Sequence, residues 1–383
     1  MKIFHLSDLH IGLKLFNRDL REDQEYILNQ IVEKASDEKP DVIVIAGDIY
    51  DKAVPSAESC EIFDKFTGAL YKAVPKATVM MISGNHDSAP RINLFRSVLA
   101  SKNFYMIGNP PMQPDEHIEK VRLEDAFGVV NFYLLPFVKP SMVKQIVGTD
   151  EKGNNFSYNE SVKRLIEREN IDTNERNVLV SHQLYLPKGV KADEIERMDS
   201  EIRTVGNIDE VSSQVLVKFD YAALGHIHKP MKVGSDFYRY CGTPLACSVS
   251  EQGQKKGIIV VEMKEKGNVS TSVIPLAPLR EVKVIRDTLD EALKQAGDDY
   301  VSVVLTDKVD LDVIDMQDRL RNAFPNLLEI KRECVEKANY GHKIAEEKEL
   351  DPFELCNVFL DTAGITDDEK DLLMDVINTV KGV

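Results

Sequence analysis

Cysteine is scarce in this chain of 383 residues: Cys60, Cys241, Cys247, Cys334 and Cys356 are odd in number and show no C-x-x-C spacing. That excludes a disulfide framework and a thiolate-rich metal site, and leaves reduced thiols in an intracellular, cytoplasmic protein. Long apolar runs are missing too. Nothing approaches the roughly 20 residues of a membrane span, and the opening "MKIFHLSDLH" is too short and too soon polar for a secretion signal. There is no G-x-x-x-x-G-K-[ST] phosphate loop, so any dependence on ATP has to come from another chain. Positive charge is short as well, with a formal net charge of -16 and a pI near 5.1. A protein of that balance does not hold nucleic acid by overall electrostatics. The deficit is uneven, however: from Glu333 onward there are 13 acidic and 5 basic residues, about half of the excess. An acidic tail repels phosphate without having to sit where the chemistry occurs.

What is present is a 43% apolar chain able to bury one large core beside smaller units. Its first two-thirds repeat a pattern in which a short apolar run ends abruptly in Gly, Asp, Asn or His. "KIFHL" runs into Ser7-Asp8-Leu9-His10, "DVIVIA" into Gly47-Asp48, and "TVMMI" into Ser83-Gly84-Asn85-His86-Asp87. Later, "NVLV" runs into Ser181-His182 and "YAAL" into Gly225-His226-Ile227-His228. Helical spacing occupies Leu20 to Ala35, Ser56 to Ala73 and Ile92 to Ala100. Strand alternating with helix predicts an α/β fold, in which the carboxyl ends of the strands line one edge of a sheet. All five polar clusters can therefore meet.

From Phe104 to Lys139 the runs "FYMIG" and "VVNFYLLPF" suggest antiparallel pairing, and a helix is expected from Tyr158 to Glu169. "DFYRYCGTPLA" and "KKGIIVVEMKEKGNVSTSVIPL" read as strands completing a second sheet. We place the main domain at residues 1–277. A small α/β unit follows at 278–335, with strands at Glu281 to Ile285, Tyr300 to Leu305 and Leu328 to Arg332 around helices at Leu289 to Gln295 and Val313 to Phe324. A charged linker spans 336–350. Residues 351–383 carry two helix starts, Asp351-Pro352-Phe353-Glu354 and Thr366-Asp367-Asp368-Glu369. Their apolar stripes suit either a helical pair folded on its own domain or a docking element for a partner.

Asp8, His10, Asp48, Asn85, His182, His226 and His228 offer seven oxygen and nitrogen ligands. That is too many for one zinc ion, which usually takes four, but it suits two ions sharing a bridging carboxylate. Asp48, standing alone between two-residue groups, is the natural bridge. Carboxylate, amide and imidazole without thiolate point to Mn²⁺ first, with Fe²⁺, Zn²⁺ and Mg²⁺ as alternatives. Two divalent ions against two carboxylates leave positive charge for a phosphate ester and suit phosphoryl transfer. His86 is a candidate to protonate the leaving oxygen, with Asp51 or Asp87 as its orienting partner; Asp87 equally suits capping of the loop that follows it. Glycines at 47, 84 and 225 immediately precede ligands, where a missing side chain permits close approach. His5 is expected within the core, and His117 and His342 at the surface.

The order D-x-H, G-D-x-x-D, G-N-H-D, a lone His and G-H-x-H resembles the calcineurin-like metallophosphoesterase superfamily. "HLSDLHIG", "AGDIYDKAVPS", "SGNHDS", "DYAALGHIHKP" and "YCGTP" are similar to its branch of bacterial nuclease subunits that work with a coiled-coil ATPase. The resemblance is strong over residues 1–275 and one of layout beyond them. It implies a four-layer α/β/β/α sandwich, a two-Mn²⁺ site and a phosphodiesterase acting on DNA ends and hairpins in repair and recombination. Carried over by position, Asp8, His10, Asp48 and His228 would hold one ion, and Asp48, Asn85, His182 and His226 the other, with His86 as the catalytic histidine. The small α/β unit would cap DNA and the tail helices would dock the ATPase. The family's homodimer helices make Phe66, Ile92, Phe95 and Leu99 candidates for an interface within an expected heterotetramer, with plain core burial the alternative for any single one of them. The competing reading is a phosphomonoesterase or small-molecule phosphodiesterase on the same scaffold. Protein phosphatases of the superfamily follow this Asp with Arg-Gly, whereas Asp51 is followed by Lys52-Ala53.

Overall fold

Strands that are apolar on both faces must be covered twice, and in this chain the two central sheets cover each other. The computed structural model describes residues 1–191, 194–201, 209–307 and 313–333. In the first sheet, Lys2–Leu6, Val42–Ala46, Thr78–Ile82 and Phe104–Ile107 run parallel in that order. In the second, Gly128–Leu135, Arg176–His182 and Tyr221–Gly225 are parallel neighbours, with Glu119–Asp125 antiparallel at one edge. Alternate residues serve different layers. Ile3, Val42, Val44 and Met80 of the first sheet meet Phe132, Val178, Val180 and Ala223 of the second in one buried cluster. Phe4, Ile43 and Ile45 pack outward on the helices Arg21–Glu38 and Ala57–Ala73, while Leu179, Ala222 and Leu224 pack outward on Pro140–Val147 and Tyr158–Arg168. The result is the expected helix, sheet, sheet, helix layering.

Three sequence expectations change in detail. The hairpin Gly257–Met263 and Val269–Pro275 completes the first sheet, not the second, because Gly257–Met263 pairs antiparallel with Lys2–Leu6. Phe104–Ile107 is a parallel edge of the first sheet, so antiparallel pairing in that region is confined to Glu119–Asp125 with Gly128–Leu135. The helix expected from Ile92 to Ala100 breaks into Ala89–Ile92 and Arg96–Ala100, since Phe95 takes a left-handed backbone with φ of 59°. Of the four residues proposed for a homodimer, Phe66 and Ile92 are buried in the chain's own core, Leu99 is partly buried and Phe95 is 75% exposed.

The small unit is a parallel three-stranded sheet, Val282–Asp287, Tyr300–Leu305 and Leu327–Arg332, with helices Leu289–Leu293 and Val313–Ala323. It is tied to the larger one through Asp23, whose carboxylate accepts from the Tyr300 hydroxyl at 2.7 Å and from Arg280 at 3.0 Å. The linker and the two expected tail helices, with His342, lie outside the described residues. Among the described residues no helix is long and apolar enough to cross a membrane.

His5 is an inter-sheet residue. Its Nε2 donates to the carbonyl of Leu224 at 3.2 Å, and its Nδ1 accepts from the Tyr221 hydroxyl at 2.9 Å. Burial depresses its pKa to about 3 against the partial opposition of the Leu224 bond. Below its ordinary value of 6.5 the unfolded chain takes up a proton that the folded chain refuses. Stability is therefore lost as pH falls from 6.5 toward 3, by up to about 1.4 kcal/mol per pH unit. Urea unfolding of metal-free protein at pH 7 and pH 5 is expected to differ by about 2 kcal/mol more in the wild type than in His5→Gln. Equal pH dependence of the two proteins would contradict a buried neutral imidazole here.

Candidate metal centre

Five of the parallel strands, Lys2–Leu6, Val42–Ala46, Thr78–Ile82, Arg176–His182 and Tyr221–Gly225, end at a polar cluster, and two loops at these ends are laced together by backbone hydrogen bonds. The amide of Asp8 donates to the Gly47 carbonyl at 2.9 Å, His10 to Asp48 at 3.0 Å and Ile11 to Ile49 at 3.0 Å. The turn is sharp enough to need left-handed backbone at non-glycine residues: φ is 52° at Asp8, 43° at His10, 49° at Asp48 and 102° at His226. Such conformations cost of order 1–3 kcal/mol each and concentrate at functional sites. The three glycines serve close approach, as their positions suggested. A Cβ on Gly84 would lie 2.1 Å from Asp48 Oδ1, one on Gly47 2.3 Å from His182 Nδ1, and one on Gly225 1.9 Å from the Ala46 carbonyl oxygen.

All seven sequence-predicted ligands come together. Asp48 Oδ2 lies 3.2 Å from His182 Nε2 and 3.7 Å from His10 Nε2. Asn85 Oδ1 lies 3.0 Å from His182 Nε2 and 2.9 Å from His226 Nδ1. On the other side, His10 Nε2 faces His228 Nε2 at 3.2 Å, and the Asp8 carboxylate accepts from the His226 amide at 3.0 Å. Asp8, His10 and His228 form one set whose ligand atoms lie within 4.8 Å of one another, and Asp8, Asp48 and His182 form a second. His10, Asp48 and His86 form another such set.

This donor set fits divalent ions. His226 Nε2 and His10 Nδ1 are buried without a hydrogen-bond partner, a costly arrangement for an imidazole in a polar cluster. His182 donates from Nδ1 to the Ala46 carbonyl at 2.7 Å, which keeps the Nε2 lone pair for a cation. Burial lowers the pKa of His10 and of His182, but the carboxylates outweigh it: Asp51, Asp48 and Asp8 for His10, and Asp48 and Asp8 for His182 raise each to about 9. Asp48 is pushed up by burial and, more strongly, down by His182 and His10, so it stays ionised. In His226 burial and the neighbouring His182 favour the neutral ring. Positive charge is what this cluster attracts, and protons take that role when nothing else does.

Asp51 partners His86, but through its backbone. Its backbone carbonyl, not its carboxylate, accepts from His86 Nδ1 at 2.9 Å, while the carboxylate stands 3.7 Å from His10 Nδ1. Asp87 does not orient His86. It accepts from the amides of Ile49, Tyr50 and Gly84 at 2.9 to 3.0 Å and so clamps the loop of Asp48 to that of Asn85. His117 is exposed and pairs with Glu169 at the surface.

Sequence reasoning missed a buried network behind His228. Ser200, Glu201, Thr243, Glu251 and Lys256 surround that histidine, and of these only Thr243 falls within a recognisable motif, "YCGTP". Gly242 in the same motif has φ of 77°, and a Cβ there would lie 2.6 Å from the His228 carbonyl oxygen. The remaining members come from stretches with no recognisable spacing.

Residues 1–230 match the family of calcineurin-like phosphoesterases, and residues 278–363 match the Type 5 capsule protein repressor C-terminal domain. Over 350 residues the chain is 31% identical to the SbcD subunit of the nuclease SbcCD from Staphylococcus epidermidis, covering 89% of this chain and 88% of that one. Similar solved structures include GAP50, the anchor in the inner membrane complex of Plasmodium, at 11% identity, 88% and 98% coverage and a TM-score of 0.43. A dimetal phosphatase from Danio rerio is similar at 12% identity, 72% and 99% coverage and a TM-score of 0.40. With its strand-end ligands and this extent of matching sequence, the chain belongs to the calcineurin-like metallophosphoesterases and, among them, to the SbcD family of nuclease subunits.

Proposed function

We propose that this chain hydrolyses DNA phosphodiester bonds at ends and hairpins with two Mn²⁺ ions, as the cytoplasmic nuclease subunit of a repair and recombination complex with an SbcC-like coiled-coil ATPase. The observation that carries the reading is the meeting of Asp8, His10, Asn85, His182, His226 and His228 around the single carboxylate of Asp48. Asp8, His10, Asp48 and His228 would hold one ion, and Asp48, Asn85, His182 and His226 the other. Bound there, two divalent ions supply four positive charges, polarise a phosphoryl oxygen and lower the pKa of water. They also answer the shortage of positive charge. In the adjoining cleft of about 630 Å³, Lys14, Arg21 and Lys52 are matched by Asp19, Asp51 and Glu58.

His86 donates from Nδ1 to the Asp51 carbonyl, so in the imidazolium form it is the Nε2 proton that would pass to the leaving oxygen, leaving the neutral ring with its proton on Nδ1. The small α/β unit is read as the DNA cap and residues 351–383 as the docking element for the ATPase. A homodimer within the heterotetramer is supported by an apolar cavity of about 670 Å³ lined by Tyr71, Leu94, Phe95 and Leu99, beside the exposed Val98. The test is a Mn²⁺ titration of cleavage on end-labelled DNA beside a phosphomonoester. The wild type is expected to prefer DNA, and His86→Asn to lower the rate about 10²- to 10⁴-fold with manganese still bound. A phosphomonoester turned over far better than DNA would overturn the nuclease reading.

A further inference from the structure

His228 is the ligand with the most elaborate support. Its Nδ1 lies 2.7 Å from Ser200 Oγ, and that hydroxyl lies 2.8 Å from Glu251 Oε1, which is itself 3.5 Å from Nδ1. Glu251 is 1% exposed. Its second oxygen accepts from Lys256 Nζ at 2.6 Å and from Thr243 Oγ1 at 3.0 Å, and Ser248 Oγ donates to the first at 3.2 Å. Lys256 also reaches the His228 carbonyl at 3.1 Å, and the His228 amide donates to Glu201 at 3.0 Å. Backbone and ring of one histidine are thus gripped by two buried acids and a buried lysine.

A buried lysine and glutamate contribute little net stability compared with apolar residues of the same volume. What this arrangement does is define a direction for protons. Glu251 can only accept, so Ser200 must donate to it; the Ser200 oxygen is then free to accept from Nδ1–H, which leaves Nε2 as a lone pair facing His10. By contrast, His182 obtains the same result from a neutral carbonyl. We infer that Glu251, acting through Ser200, is a positioning residue that fixes the tautomer and raises the ligand strength of His228, so that the ion held by Asp8, His10, Asp48 and His228 depends on a buried carboxylate while its neighbour does not. The inference rests on the two-ion reading of the site.

The test is calorimetric titration of Mn²⁺ into the metal-stripped full-length chain, with bound ion counted by electron paramagnetic resonance. Glu251→Gln keeps shape but removes the charge; Ser200→Ala removes only the bridge and leaves the pair with Lys256 intact, so it guards against a folding defect. Two ions are expected in the wild type. Glu251→Gln is expected to weaken one of them about 10- to 100-fold and Ser200→Ala the same one about 10-fold, with the other changed less than about 2-fold. Glu251→Asp is expected to restore part of the loss. Two ions bound as tightly by both variants as by the wild type would overturn the inference while leaving the two-ion site standing. A wild type that takes up no pair of ions would overturn the reading of the site and this inference with it.

Discussion

Asp48→Asn is expected to lower Mn²⁺-dependent cleavage by about a thousandfold or more, or roughly 4 kcal/mol of transition-state stabilisation. The substitution is nearly isosteric: it keeps an oxygen for the His86 amide, which donates to Asp48 Oδ1 at 2.8 Å. What it removes is the charge between His182 at 3.2 Å and His10 at 3.7 Å. A carboxylate shared by two cations serves both, so its loss weakens both, unlike the loss of any ligand at the periphery. Single-turnover cleavage together with manganese stoichiometry measures the effect. A variant with two ions bound and cleavage within tenfold of wild type would show that Asp48 is not the bridge.

Gly225→Ala is expected to destabilise the chain by roughly 3 kcal/mol and to disrupt metal uptake as well. The added carbon would sit 1.9 Å from the Ala46 oxygen and 2.8 Å from His182 Nδ1, within the hydrogen bond that orients His182. Ala46 ends a strand of the first sheet, while Gly225 and His182 end strands of the second. The substitution therefore wedges the two sheets apart at the edge where their ligands must converge. Gly68→Ala is the control: it lies within the helix Ala57–Ala73, a Cβ there meets nothing within 4 Å, and it is expected to stabilise by about 0.5–1 kcal/mol. Chemical denaturation of both variants decides the matter. Equal stabilities would mean that the sheets do not depend on close contact at Gly225.

The site was legible because its chemistry is local to strand ends. A short buried run followed by Gly-Asp or Gly-His marks both where a parallel strand stops and which side chains it delivers, and the missing Cβ at 47, 84 and 225 reports the close approach. Pairing over long distances left no such mark. The hairpin from Gly257 to Pro275 alternates as any hairpin does, and only the antiparallel contact with Lys2–Leu6, more than 250 residues away, decides which sheet it extends. Asp51 could be named as a partner of His86, but not the atom through which it acts, for a related reason. A sequence displays side chains, whereas the atom that holds His86 is a backbone carbonyl. Ser200, Glu251 and Lys256 were invisible because a buried ion pair and a serine bridge impose no spacing along the chain. Their distances from His228 in sequence, 28, 23 and 28 residues, carry no periodicity.

Anomalous diffraction from a crystal of the full chain soaked in manganese is the most direct measurement. Two peaks about 3.5–4 Å apart are expected, with the Asp48 carboxylate between them, Asp8, His10 and His228 on one side and Asn85, His182 and His226 on the other. A single peak, or a pair that does not share Asp48, would contradict it.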